Sequence, residues 1–474
     1  MKKISSLFIV ILILLTPFSA KSQEIDSITA KSVAKNFYQT LQKETTRGLQ
    51  ASIAYQSEII SSQKGSSVGF YIINLSDEGF VIVSGDQKVQ PILGFSTEGV
   101  FHSEDIPENL QFLLQEYDKE IQAIIESPST DSHCFDQKWA SLTQAKNMAT
   151  GTVVVGPLVT SKWTQGKYYN NHCPVDASAP AAAGGHALVG CGAIVMGQVM
   201  RYWHYPITGS GTHSYNSGSY GTLSADFGNT TYDYDNMPVR LLNSSTNEQV
   251  EAVSTLLYHC GVAVNMNYGP SASWSNSNNI VAAMSNYFGY PATVEYIERS
   301  STNATTWLEL IKGELDDFAP FFYGGTGSQG GHVFVCDGYR DDDFVHINWG
   351  LGSYDGYFAV TALNPGPYNF SSSQAIIIGI RGPEPPVSIT DNKTGNITIY
   401  PNPTSDLLRI ETTGKLNGAN LSLYDINGRL LLSDKINMDG QNSYFIHLKH
   451  LSKGMYFLSI DNENNHFWEK VIVE

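Results

Sequence analysis

Apolar residues recur every three or four positions in two segments of the first 130 residues. In ITAKSVAKNFYQTLQKE, Val33, Phe37 and Leu41 fall four apart, which predicts a helix with one buried face. IPENLQFLLQEYDKEIQAIIE repeats the pattern with Pro107 at its start, a residue suited to a first helical turn. Between them, VGFYIINL and EGFVIVSGD are short apolar runs separated by a polar turn, and predict two strands. These elements outline an α+β unit over 23–148. Its end, from Ser127 to Thr152, is polar and predicts an exposed stretch open to processing.

The pattern then changes. VGCGAIVMGQVMRYWHYP (189–206) is apolar on nearly every side, which predicts a helix buried in the centre of a domain and ending at Pro206. A tyrosine- and glycine-rich loop region (206–238) follows, then helices over 247–263 and 278–288. The strand-rich segments HVFVCDGYRDDDFVHINWG and DGYFAVTAL close this second unit, 149–382. GPEPPVSITDNKTGN reads as a linker, placed at 383–396. Beyond it, 397–474 carries short apolar strands at even spacing with turn signals such as Asn427-Gly428, the pattern of a small all-β sandwich.

Composition narrows the choices. At 474 residues the chain exceeds one ordinary core, and 42% apolar with 15% charged residues fits folded domains rather than disorder. A formal charge of −17 disfavours nucleic acid as a partner, because phosphate binding needs basic surface. Met1-Lys-Lys, the apolar run Leu7 to Leu15 and the small-x-small site at Ala20-Lys-Ser22 predict a secretory signal peptide over 1–22. Five cysteines leave an odd thiol in an exported protein, and no C-x-x-C pair points to zinc or redox chemistry. The histidines form no H-E-x-x-H cluster, so no metal or cofactor is expected. The run Asp341-Asp-Asp343 reads as a solvated turn, with a calcium site as the alternative.

The remaining chemistry centres on Cys191. It opens the apolar helix, where the dipole and unpaired N–H groups lower a thiol's pKa. Gly190 and Gly192 are read as keeping the backbone open to a substrate. Spacing alone leaves two readings: a buried structural thiol, or a nucleophile. A nucleophile needs an imidazole, oxyanion donors and a group that holds the imidazole. His332 at the start of HVFVCDGY is one imidazole; His186 and His204 are rivals. His204 stands at the far end of the helix, roughly 20 Å away at 1.5 Å per residue. Gln165 in TQGKYYN is a candidate oxyanion donor beside the Cys191 N–H, and otherwise a solvated loop residue. Asn348 and Trp349 in HINWG are expected to return beside His332 on a hairpin, the amide to orient the imidazole and the indole to shield it.

At this point the motifs TQGKYYN, GCGAIVMGQVMRYWHYP, NYGPSASWS, GGHVFVCDGY, HINWGLGSYDGYFAV and ALNP, taken in this order, resemble those of streptopain-type cysteine peptidases of papain-like fold. The resemblance implies Cys191 as nucleophile, His332 as general base, Gln165 as oxyanion donor and Trp349 as the active-site tryptophan. It leaves the role of Asn348 open, because the family is usually described as working with a dyad. FVIVSGDQKVQPILGFSTEGVF and the helix after it are similar to the family's inhibitory propeptide. That implies a zymogen, with the chain's own propeptide as inhibitor and maturation near Lys146. YPNPTSDLLRI, LYDINGRLL, LSKGMYFLSI and the final KVIV resemble the sorting domain of Bacteroidetes type IX secretion. The fold expected is therefore α+β: an α+β propeptide, a papain-like peptidase domain and a small all-β sandwich. The implied activity is endopeptidase cleavage of polypeptide substrates, with release or attachment at the cell surface through the secretion machinery. Loops holding Ser271, Trp274, Gly330 and Gly331 are expected to rim the cleft. An acyl transferase of transglutaminase type and an adhesin on a dead protease scaffold are the rival readings.

Overall fold

The computed structural model describes residues 24–41, 49–62, 65–76, 79–104, 106, 108–127, 133–145, 151–299, 304–327, 330–352, 354–360, 374–382, 397–404, 406–412, 416–425, 430–438, 443–449, 451–462 and 465–473. The expected signal peptide, the linker and Lys146 lie outside the described residues. The chain divides into two compact units, one of residues up to 150 with 358–371, the other of 151–357 with 372–474.

In the first unit, α1 (Ser27–Leu41) buries Ala30, Val33, Ala34, Phe37 and Tyr38, a stripe at helical spacing. Asp26 starts it by accepting the Thr29 N–H at 2.7 Å. Strands β1 (Ala51–Ser61), β2 (Gly65–Leu75), β3 (Gly79–Ser84) and β4 (Ile92–Ser96) form an antiparallel meander. Every residue of β3 and β4 is buried. α2 (Glu108–Glu126) buries Leu110, Leu113, Leu114, Tyr117, Ile121 and Ile124. The Tyr117 hydroxyl lies 2.8 Å from the carbonyls of both Leu93 and Ala359, fixing residues 358–360 in this unit.

The stretch read as exposed holds a third helix, α3 (Asp136–Gln144). Trp139 and Leu142, three apart, are buried. The Trp139 indole N–H reaches the Val89 carbonyl at 3.0 Å, and Asn36 Nδ2 donates to the Leu142 carbonyl at 2.6 Å. Two large apolar residues in nine are too few to reveal it by periodicity.

The second unit is built around α4 (Cys191–Trp203), in which every residue from Gly192 to Met200 is buried. Packed on it is α5 (Asn247–Ala263), which opens with a capping box between Thr246 and Gln249. α6 (Asn278–Asn286) and α7 (Ala304–Asp316) complete the helices of this unit among the described residues. Its strands are β5 (Val153–Val155), the hairpin β6 (Thr212–Asn216) and β7 (Thr222–Asp226), β8 (Glu295–Glu298), β9 (Phe321–Gly327), β10 (Gly330–Arg340), β11 (Val345–Asn348), β12 (Gly356–Phe358) and β13 (Gln374–Ile378). The order β11-β10-β9-β13-β8 makes an antiparallel sheet, with β5 also on β10. α4 packs against β10, and Ile194, Val195, Val333 and Val335 share one core.

The C-terminal part forms two sheets. β14 (Ile397–Tyr400), β15 (Leu407–Thr412) and β18 (Tyr444–His447) make one. β16 (Leu416–Asp425), β17 (Leu430–Met438), β19 (Gly454–Asn462) and β20 (Asn465–Val473) make the other. Leu408, Ile410, Leu421, Leu423, Ile446, Leu458 and Val471 fill the space between them, as the even strand spacing predicts for a sandwich. Among the described residues, no helix is long and apolar enough to cross a membrane.

Candidate active site

Cys191 is the first residue of α4 and is partly exposed. Gly190 before it has φ 90° and ψ 138°, a conformation that glycine alone adopts without strain. A Cβ there would lie 2.6 Å from Met266 Sδ and 3.2 Å from the Ser273 carbonyl oxygen. Gly192 is also buried, and a Cβ on it would meet Ser275 Oγ at 3.2 Å. The two glycines therefore serve close packing and a backbone turn, and do not open the chain to a substrate.

Gln165 is fixed against this turn. Its main-chain carbonyl accepts the Val189 N–H at 3.1 Å, and its side-chain Oε1 accepts the Gly190 N–H at 3.1 Å. A backbone N–H can only donate, so the amide must present its oxygen to Gly190 and its Nε2 protons to the other side. No described residue takes those protons. An amide N–H donor is thus held one residue from the thiol.

The loop 267–275 is sewn to the same segment. Leu188 N–H donates to the Gly269 carbonyl at 3.0 Å, Ser273 Oγ donates to the Leu188 carbonyl at 2.7 Å, and Asn267 and Trp274 exchange main-chain bonds of 2.9 and 3.2 Å. Trp274 stands between the two residues that touch Gly190 and Gly192, yet its side chain is 60% exposed. Ser271 is exposed on the same loop. Gly330 and Gly331 pair with Gly327 and Thr326 at the end of the β9–β10 hairpin, one and two residues before His332.

His332 is buried on β10, paired with Gly325. Phe334, two residues on, shares its face of the strand. The Phe334 ring stacks on Tyr323 at 5.3 Å and meets the Trp349 indole at 4.7 Å, so Trp349 lies on the histidine's face of β10. The first turns of α4 reach the same hairpin. A Cβ on Gly350 would lie 2.7 Å from Ile194 Cγ2, and Ile194 follows Cys191 by three residues on one helix face.

Asn348 does not orient the imidazole. It pairs with Val335 across the β10–β11 ladder, and cross-strand partners share a face. Val335 and His332 are an odd number of residues apart, so their side chains point to opposite sides of the sheet. The Asn348 Nδ2 donates to the Ser161 carbonyl at 2.8 Å, while its Oδ1 accepts from Gln198 Nε2 at 3.1 Å and from the Gly350 N–H at 3.0 Å. Gln198 also donates to the Ser161 carbonyl at 2.7 Å. This amide pair locks α4 to β11. Gln198 is the signal in the sequence, the one polar residue in the buried stretch Gly192 to Met200 of α4.

The rival histidines are occupied elsewhere. His186 Nδ1 lies 2.8 Å from the Cys173 carbonyl oxygen. His204 caps the far end of α4 at φ 48° and stacks on Tyr234 at 5.5 Å. Burial pushes the Cys173 thiol up to about 12 and raises those of Cys260 and Cys336, so these three stay protonated and inert. None of the five cysteines is in a disulfide. In the acidic run, Asp341 accepts from Thr152, Asp342 binds Arg340 and Asp343 binds Lys312, leaving an internally paired turn. Among the described residues no cluster could hold a metal.

Starting one residue after His332, a shallow depression open to solvent is lined by Ser277, Tyr296, Phe322, Gly324, Val333, Ala375 and Ile377. The lining is mainly apolar, with hydroxyls from Ser277 and Tyr296.

Residues 163–358 match the peptidase C10 family, 22–121 the Spi protease inhibitor family, and 398–474 the secretion system C-terminal sorting domain. The chain is 32% identical over 338 residues to streptopain of Streptococcus pyogenes serotype M28 (strain MGAS6180), covering 67% of this chain and 81% of that protein. It is 29% identical over 370 residues to the thiol protease/hemagglutinin PrtT of Porphyromonas gingivalis, covering 74% of this chain and 41% of the relative. Among solved structures, a fragment of Prevotella intermedia prointerpain A superposes with a TM-score of 0.56 at 28% identity, covering 71% of this chain and all of the fragment.

Proposed function

The chain belongs to the peptidase C10 family, and from that premise we propose that Cys191, His332 and Gln165 carry its peptide-bond cleavage. The protein is a secreted cysteine endopeptidase made as a zymogen, with an inhibitor-type segment before the catalytic domain and a sorting domain after it. In the proposed mechanism Cys191 Sγ, deprotonated with His332, attacks the scissile carbonyl carbon. The carbonyl oxygen takes the negative charge and is met by the Cys191 N–H and Gln165 Nε2. His332 gives its proton to the leaving amine as the C–N bond breaks, and water then hydrolyses the thioester. Trp349 walls the imidazole from solvent. Trp274 and Ser271 edge the cleft, with Gly330 and Gly331 shaping the turn ahead of His332.

The observation that supports this reading is the Gln165 amide, whose oxygen accepts the Gly190 N–H one residue before the thiol and whose donor end is left for another acceptor. The apolar depression beside Val333 suits an apolar substrate side chain, read as that of the second residue before the cut. The domain boundaries proposed are 1–22 for the signal peptide, 23–148 for the propeptide, 149–382 for the peptidase and 397–474 for the sorting sandwich. The test is the Cys191→Ala zymogen incubated alone and with a fluorogenic peptide. It should show neither self-processing nor hydrolysis, and turnover at the native rate would overturn the assignment.

A further inference from the structure

Behind Trp349 lies a group of ionisable side chains that peptide cleavage does not use. Asp337 on β10 is fully buried. Its Oδ2 accepts the Val159 N–H at 2.9 Å, and its Oδ1 lies 2.6 Å from His346 Nδ1. His346 is on β11, its ring edge-on to Tyr357 at 5.0 Å. Three residues further along, both nitrogens of Trp349 are held by adjacent residues of the loop that follows. The main-chain N–H donates to Asp355 Oδ1 at 3.1 Å, and the indole Nε1–H donates to the Tyr354 carbonyl at 3.0 Å. Tyr354 takes φ 67° to do so, a left-handed conformation that is strained for a tyrosine.

A loop that merely closed on itself could use a neutral acceptor, as asparagine does in many turns. Even a partly buried carboxylate is costly unless its charge has a use. The nearby charges act on it in opposite senses: His346 and Lys162 favour the ionised form and Asp337 opposes it, while Arg340 and His346 pack against Tyr357. The arrangement ties an anion to the main chain of the residue that walls His332.

We propose that Asp355 is a positioning residue for the peptidase reaction: its ionised carboxylate clamps Trp349 in the wall beside His332, and protonation loosens the clamp. This rests on the placement of Trp349 in the active site. The charge state is poised to change near neutrality. Burial pushes the Asp355 carboxyl from 3.8 up to about 7, opposed by His346 and by the Trp349 N–H. Above that pH the carboxylate is ionised and the charge-assisted bond is at full strength. Below it the acid is neutral and the bond falls to ordinary strength.

The experiment is the pH dependence of kcat/KM for the processed enzyme on a fluorogenic peptide, from about pH 5 to about pH 9. The wild type should lose about tenfold in activity through a limb centred near pH 7, the size of a modest misplacement. Asp355→Asn, neutral at every pH, should sit about tenfold low at pH 8 and show no such limb. A wild-type profile flat through neutrality, or a limb that survives in Asp355→Asn, overturns the proposal. Should Asp355→Asn not fold, His346→Gln decides the matter: removing the side chain that favours the ionised form should move the limb to higher pH, and an unmoved limb refutes the clamp. Alkylation of Cys191 by iodoacetamide over the same range separates the two levels of inference. An unreactive Cys191 counts against the active-site reading, whereas a reactive Cys191 with no limb near pH 7 counts against Asp355 alone.

Discussion

Replacing Gly190 by alanine should damage this enzyme far more than replacing Gly192, although both flank the same thiol. At Gly190 two penalties coincide. The φ of 90° is foreign to a residue with a Cβ, a strain of about 1–3 kcal/mol. The added methyl would also sit 2.6 Å from Met266 Sδ and 3.2 Å from a backbone oxygen, overpacking of about 1–3 kcal/mol. Because the two are relieved by the same backbone shift, a total of about 2–5 kcal/mol is expected. That shift moves the N–H that anchors Gln165, so turnover should fall by about 100-fold as the oxyanion donor drifts. Gly192 is helical, and a methyl there meets only a serine hydroxyl at 3.2 Å and Ile280 Cδ1 at 3.7 Å. Its gain in helix propensity, up to about 1 kcal/mol, offsets the contact. Thermal midpoints and kcat of the two processed variants decide the matter. A Gly190→Ala enzyme with native kcat, or a Gly192→Ala enzyme worse than it, would refute the argument.

Three further outcomes follow from named contacts. Gln165→Ala should lower kcat by about 10²–10³ with KM nearly unchanged, and Gln165→Glu, which keeps the Gly190 bond but loses the donor, should be as slow; a loss under about fivefold in either removes Gln165 from the oxyanion site. Asn348→Ala should destabilise the folded enzyme by about 1–3 kcal/mol through its lost bonds to Ser161, Gln198 and Gly350, yet leave the apparent pKa of the imidazole in the rate profile where it was; a shifted imidazole limb would restore Asn348 to a triad. In the first unit, burial pushes Asp118 from 3.8 up to about 6, with its Oδ1 unpaired against Gly69. A carboxyl raised on folding stabilises the unit below its unfolded pKa, and that stability is lost as pH rises through about 6, at most about 3 kcal/mol in all. Asp118→Asn should therefore slow hydrogen exchange of β1 and β2 in the full-length Cys191→Ala chain at pH 7.5 and not at pH 4.5; equal effects at both would sink the idea.

What the sequence made legible followed from how local each signal was. α1, α2 and α4 carry their periodicity within themselves, and β2 and β3 are continuous apolar runs. β1 went unread because ASIAYQSEIIS is polar and half exposed, and is a strand only through its pairing with β2. α7 and β4 carry equally weak local signals, the first lying among polar residues and the second only five residues long. In α3 the helix is fixed by what Trp139 and Leu142 touch, residues 50 and 106 positions distant.

The same division runs through the site. The helix start left Cys191 between a structural thiol and a nucleophile, and only the motifs proposed it for the site together with His332 and Trp349. The function of Asn348 could not be read, because it depends on strand register. One residue of slip along β11 exchanges the faces of Asn348 and Trp349. In the register observed, the indole takes the histidine's side and the amide takes the helix's side, where Ser161 and Gln198, 187 and 150 residues away in sequence, use up its bonds. The hairpin expectation was right about which strand returns and wrong about which of two neighbouring side chains faces the chemistry. The separation of tasks is physically sensible: an amide pair locks α4 to β11 from within the core, so that the thiol's helix and the tryptophan's strand share one register. The wall beside His332 is then left to the indole, whose two nitrogens are held from the loop behind it.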